Sequence, residues 1–336
     1  MTGVPGSPAV LFAAVEIPSA RLAVEEEVFA GLGATIVDRR DLPLASILPE
    51  LRAADALLTE GLERIDSGVI ASLDRCRVIS VYAVGTDSVD VAAATARGIV
   101  VANVPGYCAT EVAEHTLALI LATWRRLPRA QRVARSGSWA LDDLMPIRQL
   151  TGRTLGLLGY GRIAREVAVR ARALGLNVLA HDPYLPAGGG DEGVHLCGRD
   201  ELLRASDILS IHLPATSETA GSVDAAAFAL LPDGAILVNA GRGAVVDEGA
   251  LLAALEGGRL SGAAIDVLTS EPPPADHPLL ALDSVICTPH MAYYSEESLV
   301  ALRRGAASNA RIVLEGGMPS SAVNAEALRH APVRAR

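Results

Sequence analysis

The chain has 336 residues, half of them hydrophobic (50%), and a formal net charge of −10. This length predicts about two domains, each able to bury a core of its own. The negative charge argues against nucleic acid or an anionic membrane surface as the main partner. All 29 basic residues are Arg, and a chain without Lys has neither a Schiff-base lysine nor the lysine of a phosphate-binding P-loop.

The cysteines and the N-terminus indicate a reducing compartment. Four Cys are widely spaced and form no CxxC pair, which is typical of free thiols and not of a disulfide framework. The first apolar run, 9–15, is too short for a signal peptide, and no apolar stretch reaches the length of a membrane span. We therefore expect a cytoplasmic protein.

The first hundred residues alternate short apolar runs with helical segments. Ser19 is placed to cap a helix that reaches about Ala30. Strands that alternate with helices indicate a parallel, doubly wound sheet. No glycine-rich phosphate motif occurs here, so we do not expect this unit to bind the nucleotide. Strands are predicted at 9–14, 35–37, 56–58, 78–81 and 99–102.

A long apolar helix is predicted at 110–127, and Pro128 is expected to stop it. Five arginines lie at its end and just beyond it. They could form an anion-binding face or the solvated end of a helix, and the second interpretation is favoured. The arginines are Arg125, Arg126, Arg129, Arg132 and Arg135.

The most specific pattern of the chain is the segment RTLGLLGYGRIAREVAVRARALGLNVLAHDPY at 153–184. A strand, a glycine turn, a helix, a second strand and an acid follow one another in about thirty residues, which is typical of the dinucleotide-binding βαβ unit. In order, these parts are 154–158, Gly159-Tyr160-Gly161, 162–174, 176–180 and Asp182.

Each position of this motif has a physical reason. Gly159 permits the tight turn, and Gly161 lets the backbone approach a diphosphate. The helix N-terminus at Arg162 and Ile163 offers unpaired N–H groups to the phosphates. Asp182 can accept hydrogen bonds from both ribose hydroxyls and would repel a 2′-phosphate, so the sequence predicts NAD(H) as the cofactor and not NADP(H).

Later apolar runs extend this second sheet. The segment 186–198 contains three consecutive glycines and is predicted to be an exposed loop, whereas Asp247 is placed to cap a helix at 248–256. The last helix, 295–315, is expected to return to the first domain because the nucleotide sheet is then complete. The later strands are predicted at 208–211, 235–238, 263–265 and 285–287. The predicted domains are 1–103 with 290–336, and 104–289.

Three polar side chains follow the ends of three of these strands: Arg242, Glu271 and His290. Open parallel sheets bind ligands beyond the carboxyl ends of their strands, so a guanidinium, a carboxylate and an imidazole can meet there. Each residue alone has an ordinary alternative, as a loop salt bridge, a surface acid or a turn residue. The three together favour an active site.

The segments that carry these residues resemble the D-isomer-specific 2-hydroxyacid dehydrogenases, in the order and spacing of that family, from about residue 9 to residue 324. They are VGTDSVD (84–90), GYGRIA with HDPY, SIHLPATSET (210–219), NAGRGAVVDE, DVLTSEP and TPHMA. CTPHMAYYSEE, with GYCATEVAE upstream, looks closest to the branch that contains the C-terminal binding proteins. The resemblance implies an α/β fold of two doubly wound parallel-sheet domains, a flavodoxin-like substrate domain and a Rossmann nucleotide domain, with a cleft between them.

The resemblance also implies a hydride transfer between NAD(H) and a 2-oxo or (R)-2-hydroxy acid. Arg242 would hold the substrate carboxylate with its guanidinium fork. His290 would donate a proton to the keto oxygen during reduction, and Glu271 would bind the other ring nitrogen of His290 and favour the imidazolium. The backbone N–H groups of Val84 and Gly85 would bind the far carboxylate oxygen.

Further cofactor contacts and a homodimer follow from the same resemblance. Family members are generally homodimers joined through the nucleotide domain, with the long helix after Thr110 at the contact, so we expect a homodimer. No metal is needed for the chemistry, and the remaining histidines lack ligand-like spacing. The further cofactor contacts are Leu213, Pro214 and Thr219 toward the adenine side, Ala240, Gly241 and Asp266 toward the nicotinamide, and also His212 and His290.

One departure from the family leaves the substrate open. Many members have Arg near the substrate where this chain has Val81. Separately, two alternatives to a 2-hydroxyacid dehydrogenase are kept open: an NAD(H)-responsive binding protein like the corepressors of the resembled branch, and an enzyme of the same fold that oxidises another small anion such as phosphite. Formate is disfavoured because relatives that oxidise it usually lack the acid at the position of Glu271.

Overall fold

The computed structural model describes residues 7–13, 15, 22–61, 63–186 and 188–330. The chain divides into two compact units, Met1–Tyr107 with Ser295–Arg336, and Cys108–Tyr294, here called the first and the second unit. These borders lie a few residues beyond the predicted ones, and His290 consequently belongs to the second unit. The predicted cap Ser19 and the last residues of the chain lie outside the described part.

Twelve strands and twelve helices, apart from short 3₁₀ turns, are formed by the described residues. The strands β1 to β12 are Ala9–Ala13, Thr35–Arg39, Ala56–Thr59, Val78–Val81, Val100–Ala102, Thr154–Leu158, Asn177–His181, Val194–Leu196, Ile208–Ile211, Ala235–Asn239, Leu260–Ile265 and Val285–Cys287. The helices α1 to α12 are Ala23–Phe29, Leu48–Ala53, Ser67–Ser72, Val91–Ala96, Ala109–Trp124, Leu127–Arg135, Arg162–Ala173, Arg199–Ala205, Ala225–Leu230, Glu248–Glu256, Glu296–Leu314 and Ala325–His330.

The first unit is built on a five-stranded parallel sheet in the order β2-β1-β3-β4-β5. Its central strands are buried on both faces, because successive side chains alternate between two cores. Leu57 packs into one core, whereas Leu58 packs into the other. Helix α11 covers the second core with small side chains such as Ala306, so the last long helix lies on the first sheet.

The second unit contains a seven-stranded sheet, again parallel throughout, in the order β12-β11-β10-β9-β6-β7-β8. On one side of β6 the sheet continues with β7 and β8, and on the other side it continues with β9, β10, β11 and β12. The switch point of this topology therefore lies between β6 and β9, where open α/β sheets bind their ligands. The predicted pair of doubly wound parallel sheets is confirmed.

Two local predictions were wrong. The predicted loop 186–198 contains the short edge strand β8, in which Val194 and Leu196 are buried and His195 between them is exposed. Pro128 does not stop a helix but lies in the first turn of α6, where its missing N–H needs no partner. The break comes earlier, at Arg126, which adopts a left-handed φ of 52°.

None of the helices in the described part of the chain combines the length and the apolar character needed to cross a membrane. All four cysteines are free thiols, and only Cys287 is exposed.

Candidate active site

The glycine turn after β6 is shaped for a close approach of the backbone. Gly159 has φ 90°, and its N–H donates to the carbonyl oxygen of His181 at 2.8 Å. A Cβ atom on Gly159 would come within 2.7 Å of the carbonyl oxygen of His212, whereas one on Gly161 would meet no atom within 4 Å. The turn therefore requires glycine at the first position and leaves open space at the second.

Helix α7 begins at this open space. No side chain caps its N-terminus, so the N–H groups of its first turn are available to an anion. Arg162 is exposed at the start of the helix, and Ile163 packs against the core beneath it. The open space at Gly161 and the uncapped start of α7 thus lie together, and the predicted phosphate contacts of Arg162 and Ile163 stay a prediction.

Asp182 is fixed beside the same turn at the end of β7. Its Oδ2 accepts from the backbone N–H of Tyr160 at 3.1 Å, and its Oδ1 accepts from that of Tyr184 at 3.0 Å. The half-buried carboxylate therefore stands one strand away from the phosphate turn, where a ribose would follow a diphosphate.

The segment after β9 lies against the glycine turn. The imidazole of His212 contacts Ser210 through Nε2 at 2.9 Å, and burial lowers the pKa of this histidine to about 4. His212 is therefore uncharged at neutral pH, and its backbone carbonyl packs against Gly159. Farther along, Thr219 Oγ1 donates to the carbonyl oxygen of Pro214 at 2.5 Å, which closes this segment into a turn.

The turns after β9 and β10 are also close together. A Cβ atom on Gly241 would lie 3.2 Å from the carbonyl oxygen of Ile211 and 3.4 Å from that of Leu213. Ala240 lies between this glycine and Asn239, the last residue of β10. The predicted cofactor residues thus occupy the carboxyl ends of neighbouring strands at the switch point.

Glu271 and His290 form the pair that the sequence predicted. His290 Nδ1 lies 2.6 Å from Glu271 Oε2, and the second carboxylate oxygen of Glu271 accepts from the backbone N–H of Leu268 at 2.8 Å. Nε2 of His290 makes no hydrogen bond to any residue that the structure describes. The histidine therefore has one nitrogen fixed by a carboxylate and the other available for a substrate.

The surroundings of Glu271 favour the ionised form of its carboxyl group. Burial of the carboxyl group acts to raise its pKa, but the hydrogen bond with His290, the charge of His290, the N–H of Leu268 and the charge of Arg242 together outweigh burial and lower the pKa. Glu271 is thus a carboxylate at neutral pH, and it stabilises positive charge on the imidazole.

Arg242 is positioned by its own turn. The side chain of Asn239 accepts from the N–H of Gly241 at 3.0 Å and donates to the carbonyl oxygen of Arg242 at 3.1 Å. The next residue, Gly243, packs so tightly that an added Cβ would lie 2.1 Å from the carbonyl carbon of Leu268. The arginine turn is therefore pressed against the loop that holds Glu271, which brings the predicted guanidinium close to the predicted acid.

Asp266 organises the segment that carries His290. It is 2% exposed at the end of β11. Its Oδ1 accepts from the N–H of Met291 at 3.0 Å, its Oδ2 accepts from that of Ala292 at 2.9 Å, and its carbonyl oxygen accepts from the N–H of His290 at 2.8 Å. His290 has a φ of 49°, which is uncommon for a residue with a side chain. The aspartate therefore stabilises the unusual backbone from which the imidazole projects.

Two residues of this network were not assigned a role from the sequence. Thr288 Oγ1 donates to Asp266 Oδ1 at 2.6 Å, and His115 Nε2 lies 3.1 Å from the same hydroxyl. Thr288 belongs to the TPHMA segment, so its position offered a signal. His115 is 173 residues away from Thr288 along the chain, and no local pattern connects them.

The residues predicted to bind the far end of the substrate belong to the first unit. Val84 and Gly85 follow β4, and neither backbone N–H donates a hydrogen bond to another described residue. Val84 accepts one instead, from Nδ2 of Asn103 at 2.5 Å. Val81, which replaces the arginine of many relatives, is 1% exposed and packs in the core of that unit. In the described residues, no three His, Cys, Asp or Glu side chains come together as a metal site.

Comparisons with known proteins concern the family and the fold of the chain. The sequence model of the family described as "D-isomer specific 2-hydroxyacid dehydrogenase, NAD binding domain" matches residues 117–292. D-3-phosphoglycerate dehydrogenase of Archaeoglobus fulgidus is 41% identical over 253 residues, which are 75% of this chain and 48% of that protein. Glyoxylate reductase of Aeropyrum pernix is 39% identical over 294 residues, 85% of this chain and 88% of that protein.

A solved structure extends the likeness to the whole fold. The TT0316 protein from Thermus thermophilus has a TM-score of 0.84 and 35% identity, covering 94% of this chain and 99% of that one. The chain spans about half the length of several curated relatives, such as the phosphoglycerate enzyme at 48%. The predicted cofactor, NAD(H), is confirmed by the family match, whereas the finer resemblance to the C-terminal binding proteins stays a prediction. The chain belongs to the family of D-isomer specific 2-hydroxyacid dehydrogenases, and residues 117–292 are its NAD binding domain.

Proposed function

We propose that the protein is an NAD(H)-dependent oxidoreductase that interconverts a 2-oxo acid and the corresponding (R)-2-hydroxy acid. The observation that carries this proposal is the 2.6 Å contact between Glu271 Oε2 and His290 Nδ1, with Nε2 of the histidine unengaged among the described residues. An imidazole held in this way can donate a proton to a keto oxygen and remove it in the reverse direction.

The carboxylate of Glu271 supports that proton transfer. Its lowered pKa keeps it ionised, so it stabilises the imidazolium before the proton is donated. It also holds the ring so that Nε2 faces away from the pair. Positioned acid catalysis of this type is worth about 10²–10⁴-fold in rate.

Arg242 supplies the complementary charge for an acidic substrate. The planar guanidinium offers paired N–H donors that match a carboxylate, and it lies at the carboxyl end of β10, beside the loop of Glu271. The turn from Gly159 to Gly161 and the carboxylate of Asp182 would hold the dinucleotide. The hydride comes from the nicotinamide when NADH is bound. That Val84 and Gly85 bind the far carboxylate oxygen stays a prediction.

The substrate is proposed as a class only. D-3-phosphoglycerate dehydrogenase and glyoxylate reductase, the relatives named above, carry names of acids with oxygen at the carbon next to the carboxylate. Val81 is an uncharged side chain buried in a core, so this position offers a substrate neither charge nor contact. We therefore favour 2-oxo acids whose recognition relies on Arg242.

The experiment is a panel of 2-oxo acids with NADH, followed by the loss of NADH absorbance. His290→Gln is expected to lower kcat by about 10²–10⁴-fold while NADH binding, measured by fluorescence, is retained. His195→Gln is the matched control, because His195 is exposed on the edge strand β8. The proposal fails if His290→Gln leaves turnover at the level of the control.

The alternative assignments make different predictions in the same assay. A binding protein that responds to NAD(H) would bind NADH tightly and turn over none of a broad panel. An enzyme for another small anion would reduce NAD⁺ with phosphite and would show no activity with 2-oxo acids.

We also propose a homodimer. Large apolar side chains are exposed within the segment that follows α6, namely Trp139 at 85%, Leu141 at 70% and Met145 at 64%, and such patches mark interaction sites. Analytical ultracentrifugation of the full chain tests this, and Trp139→Ser is expected to weaken the association. A monomer at micromolar concentrations would refute the assembly. The cytoplasmic location stays a prediction.

A further inference from the structure

The buried carboxylate of Asp266 holds the chain on both sides of His290. Its Oδ1 accepts from the hydroxyl of Thr288 at 2.6 Å and from the N–H of Met291 at 3.0 Å, and its Oδ2 accepts from the N–H of Ala292 at 2.9 Å. The threonine lies two residues before His290, and the two N–H groups belong to the residues that follow it. One carboxylate thus connects the two ends of the short segment from which the imidazole projects.

The hydroxyl of Thr288 has a second neighbour, the imidazole of His115 near the start of α5. His115 Nε2 lies 3.1 Å from Thr288 Oγ1 and 3.6 Å from Asp266 Oδ1. The side chain of His115 is 19% exposed and that of Asp266 is 1% exposed, so both groups lie largely out of water. Helix α5 packs against β10, β11 and β12. The side of α5 that carries His115 is therefore turned toward the candidate active site.

The direction of these hydrogen bonds follows from the number of available hydrogens. A threonine hydroxyl carries one hydrogen, and a carboxylate carries none. Because Thr288 donates its hydrogen to Asp266, its oxygen can only accept from His115. Nε2 of His115 must therefore carry a hydrogen, as it does both in the neutral Nε2–H tautomer and in the imidazolium. The neutral Nδ1–H tautomer would place two acceptors against each other at 3.1 Å.

We propose that His115 is a positioning residue for the proton transfer assigned to His290; this inference rests on the proposed function. The Nε2–H of His115 holds the hydroxyl of Thr288 in the rotamer that donates to Asp266. A hydroxyl that both donates and accepts is fixed more firmly than one with a single partner. With the hydroxyl fixed, the carboxylate keeps the segment of His290 in one arrangement, which is what a group that transfers a proton requires.

Two pairs of variants separate the hydrogen bonds from the bulk of the side chains. His115→Gln keeps an N–H donor close to the position of Nε2, whereas His115→Leu removes it. Thr288→Ser keeps the hydroxyl, whereas Thr288→Val removes it with little change of shape. His195→Leu is the control, because His195 is exposed on the edge strand β8. Urea midpoints of all variants separate a loss of folding from a loss of rate.

The first measurement is steady-state kinetics with NADH and a 2-oxo acid. We expect His115→Leu and Thr288→Val each to lower kcat about three- to tenfold and to leave KM for the acid within about twofold, because Arg242 is the group assigned to the carboxylate. The Gln, Ser and control variants should stay within about twofold of the wild type in kcat.

A double variant tests whether the histidine acts through the threonine. His115→Leu/Thr288→Val should be at most about twofold slower than the slower single variant, since both changes break the same chain of contacts. The inference is overturned if the double variant shows the full product of the two single losses. It is also overturned if His115→Leu and His115→Gln have the same kcat.

The second measurement needs no substrate and therefore separates this inference from the proposed function. ¹⁵N NMR of protein labelled at histidine, at about pH 9, where an ordinary histidine is uncharged, shows which ring nitrogen carries the hydrogen. The spectrum of His115→Gln assigns the signals of His115. We expect the hydrogen on Nε2 of His115, and ring signals of His290 that change in His115→Leu but not in His195→Leu.

If the wild type reduces none of the 2-oxo acids, the proposed function fails, and these signals still decide the positioning role. Changed signals of His290 in both His115→Leu and Thr288→Val would support it. A hydrogen on Nδ1 of His115 in place of Nε2, or signals of His290 that are the same in His115→Leu and in the wild type, would overturn it.

Discussion

The segment that carries His290 depends on one buried carboxylate, and Asp266→Asn tests that dependence. Oδ1 of Asp266 accepts from Thr288 Oγ1 and from the N–H of Met291, and Oδ2 accepts from the N–H of Ala292. An asparagine has one acceptor oxygen and one NH₂ group. In one orientation the NH₂ faces the N–H of Ala292, and in the other it faces the N–H of Met291. Either way, a backbone donor meets another donor.

The expected loss of stability and of activity follows from that mismatch. A donor left without an acceptor at a site of 2% exposure costs about 1–3 kcal/mol. The free energy of unfolding in urea should fall by this amount. Asp266 also accepts hydrogen bonds from the segment in which His290 adopts its left-handed backbone. We therefore expect kcat/KM to fall at least about tenfold, which corresponds to about 1.4 kcal/mol of transition-state stabilisation.

The matched control is Asp224→Asn in the same unit. Asp224 caps α9 through one acceptor contact, Oδ1 to the N–H of Ala227 at 2.9 Å, and asparagine caps helices about as well as aspartate. The control should lose less than about 0.5 kcal/mol. If Asp266→Asn unfolds at the urea concentration of the control and retains wild-type kcat/KM, the role assigned to Asp266 is wrong.

Four other predictions concern the cofactor turn, the acid pair, the substrate arginine and the buried histidine. Gly159→Ala should weaken NADH binding at least about a hundredfold by fluorescence titration, since its Cβ would lie 2.7 Å from the carbonyl oxygen of His212 at a φ of 90°; unchanged affinity would exclude the proposed diphosphate turn. Glu271→Gln should lower kcat about tenfold or more, which corresponds to the loss of a charge-assisted hydrogen bond in a half-exposed pair. The lowered pKa of Glu271 stabilises the folded chain above pH 4.5, the ordinary pKa of the group, and this contribution is lost as the pH falls below 4.5. The same variant should remove that pH-dependent contribution to stability. Arg242→Lys should raise the KM for the 2-oxo acid at least about tenfold, because an ammonium cannot form the paired contact, and an unchanged KM would place the carboxylate elsewhere. Burial lowers the pKa of His212 from 6.5 to about 4, so the unfolded chain is protonated at a higher pH than the folded chain. The free energy of unfolding therefore falls as the pH drops from 6.5 to about 4. His212→Gln should reduce this dependence, measured as the urea midpoint at several pH values.

The local patterns of the sequence determined the architecture and the candidate residues. Fully apolar runs such as 235–238 indicated strands buried on both faces, because only a parallel sheet covered by helices buries every side chain of a strand. The glycine turn at Gly159 and the acid at Asp182 are separated by one helix and one strand, so their spacing alone places them at the same sheet edge. Arg242, Glu271 and His290 were found because each follows a strand end.

Tertiary structure decided which groups surround those residues. The contacts of Asp266 with Thr288, and of Thr288 with His115, join parts of the chain whose local patterns carry no information about each other. Periodicity reports which face of an element is buried, whereas hydrogen-bond partners are set by the packing of elements far apart in sequence. For that reason the sequence predicted the members of the acid–base pair, and only the fold revealed the buried carboxylate that holds His290 in place.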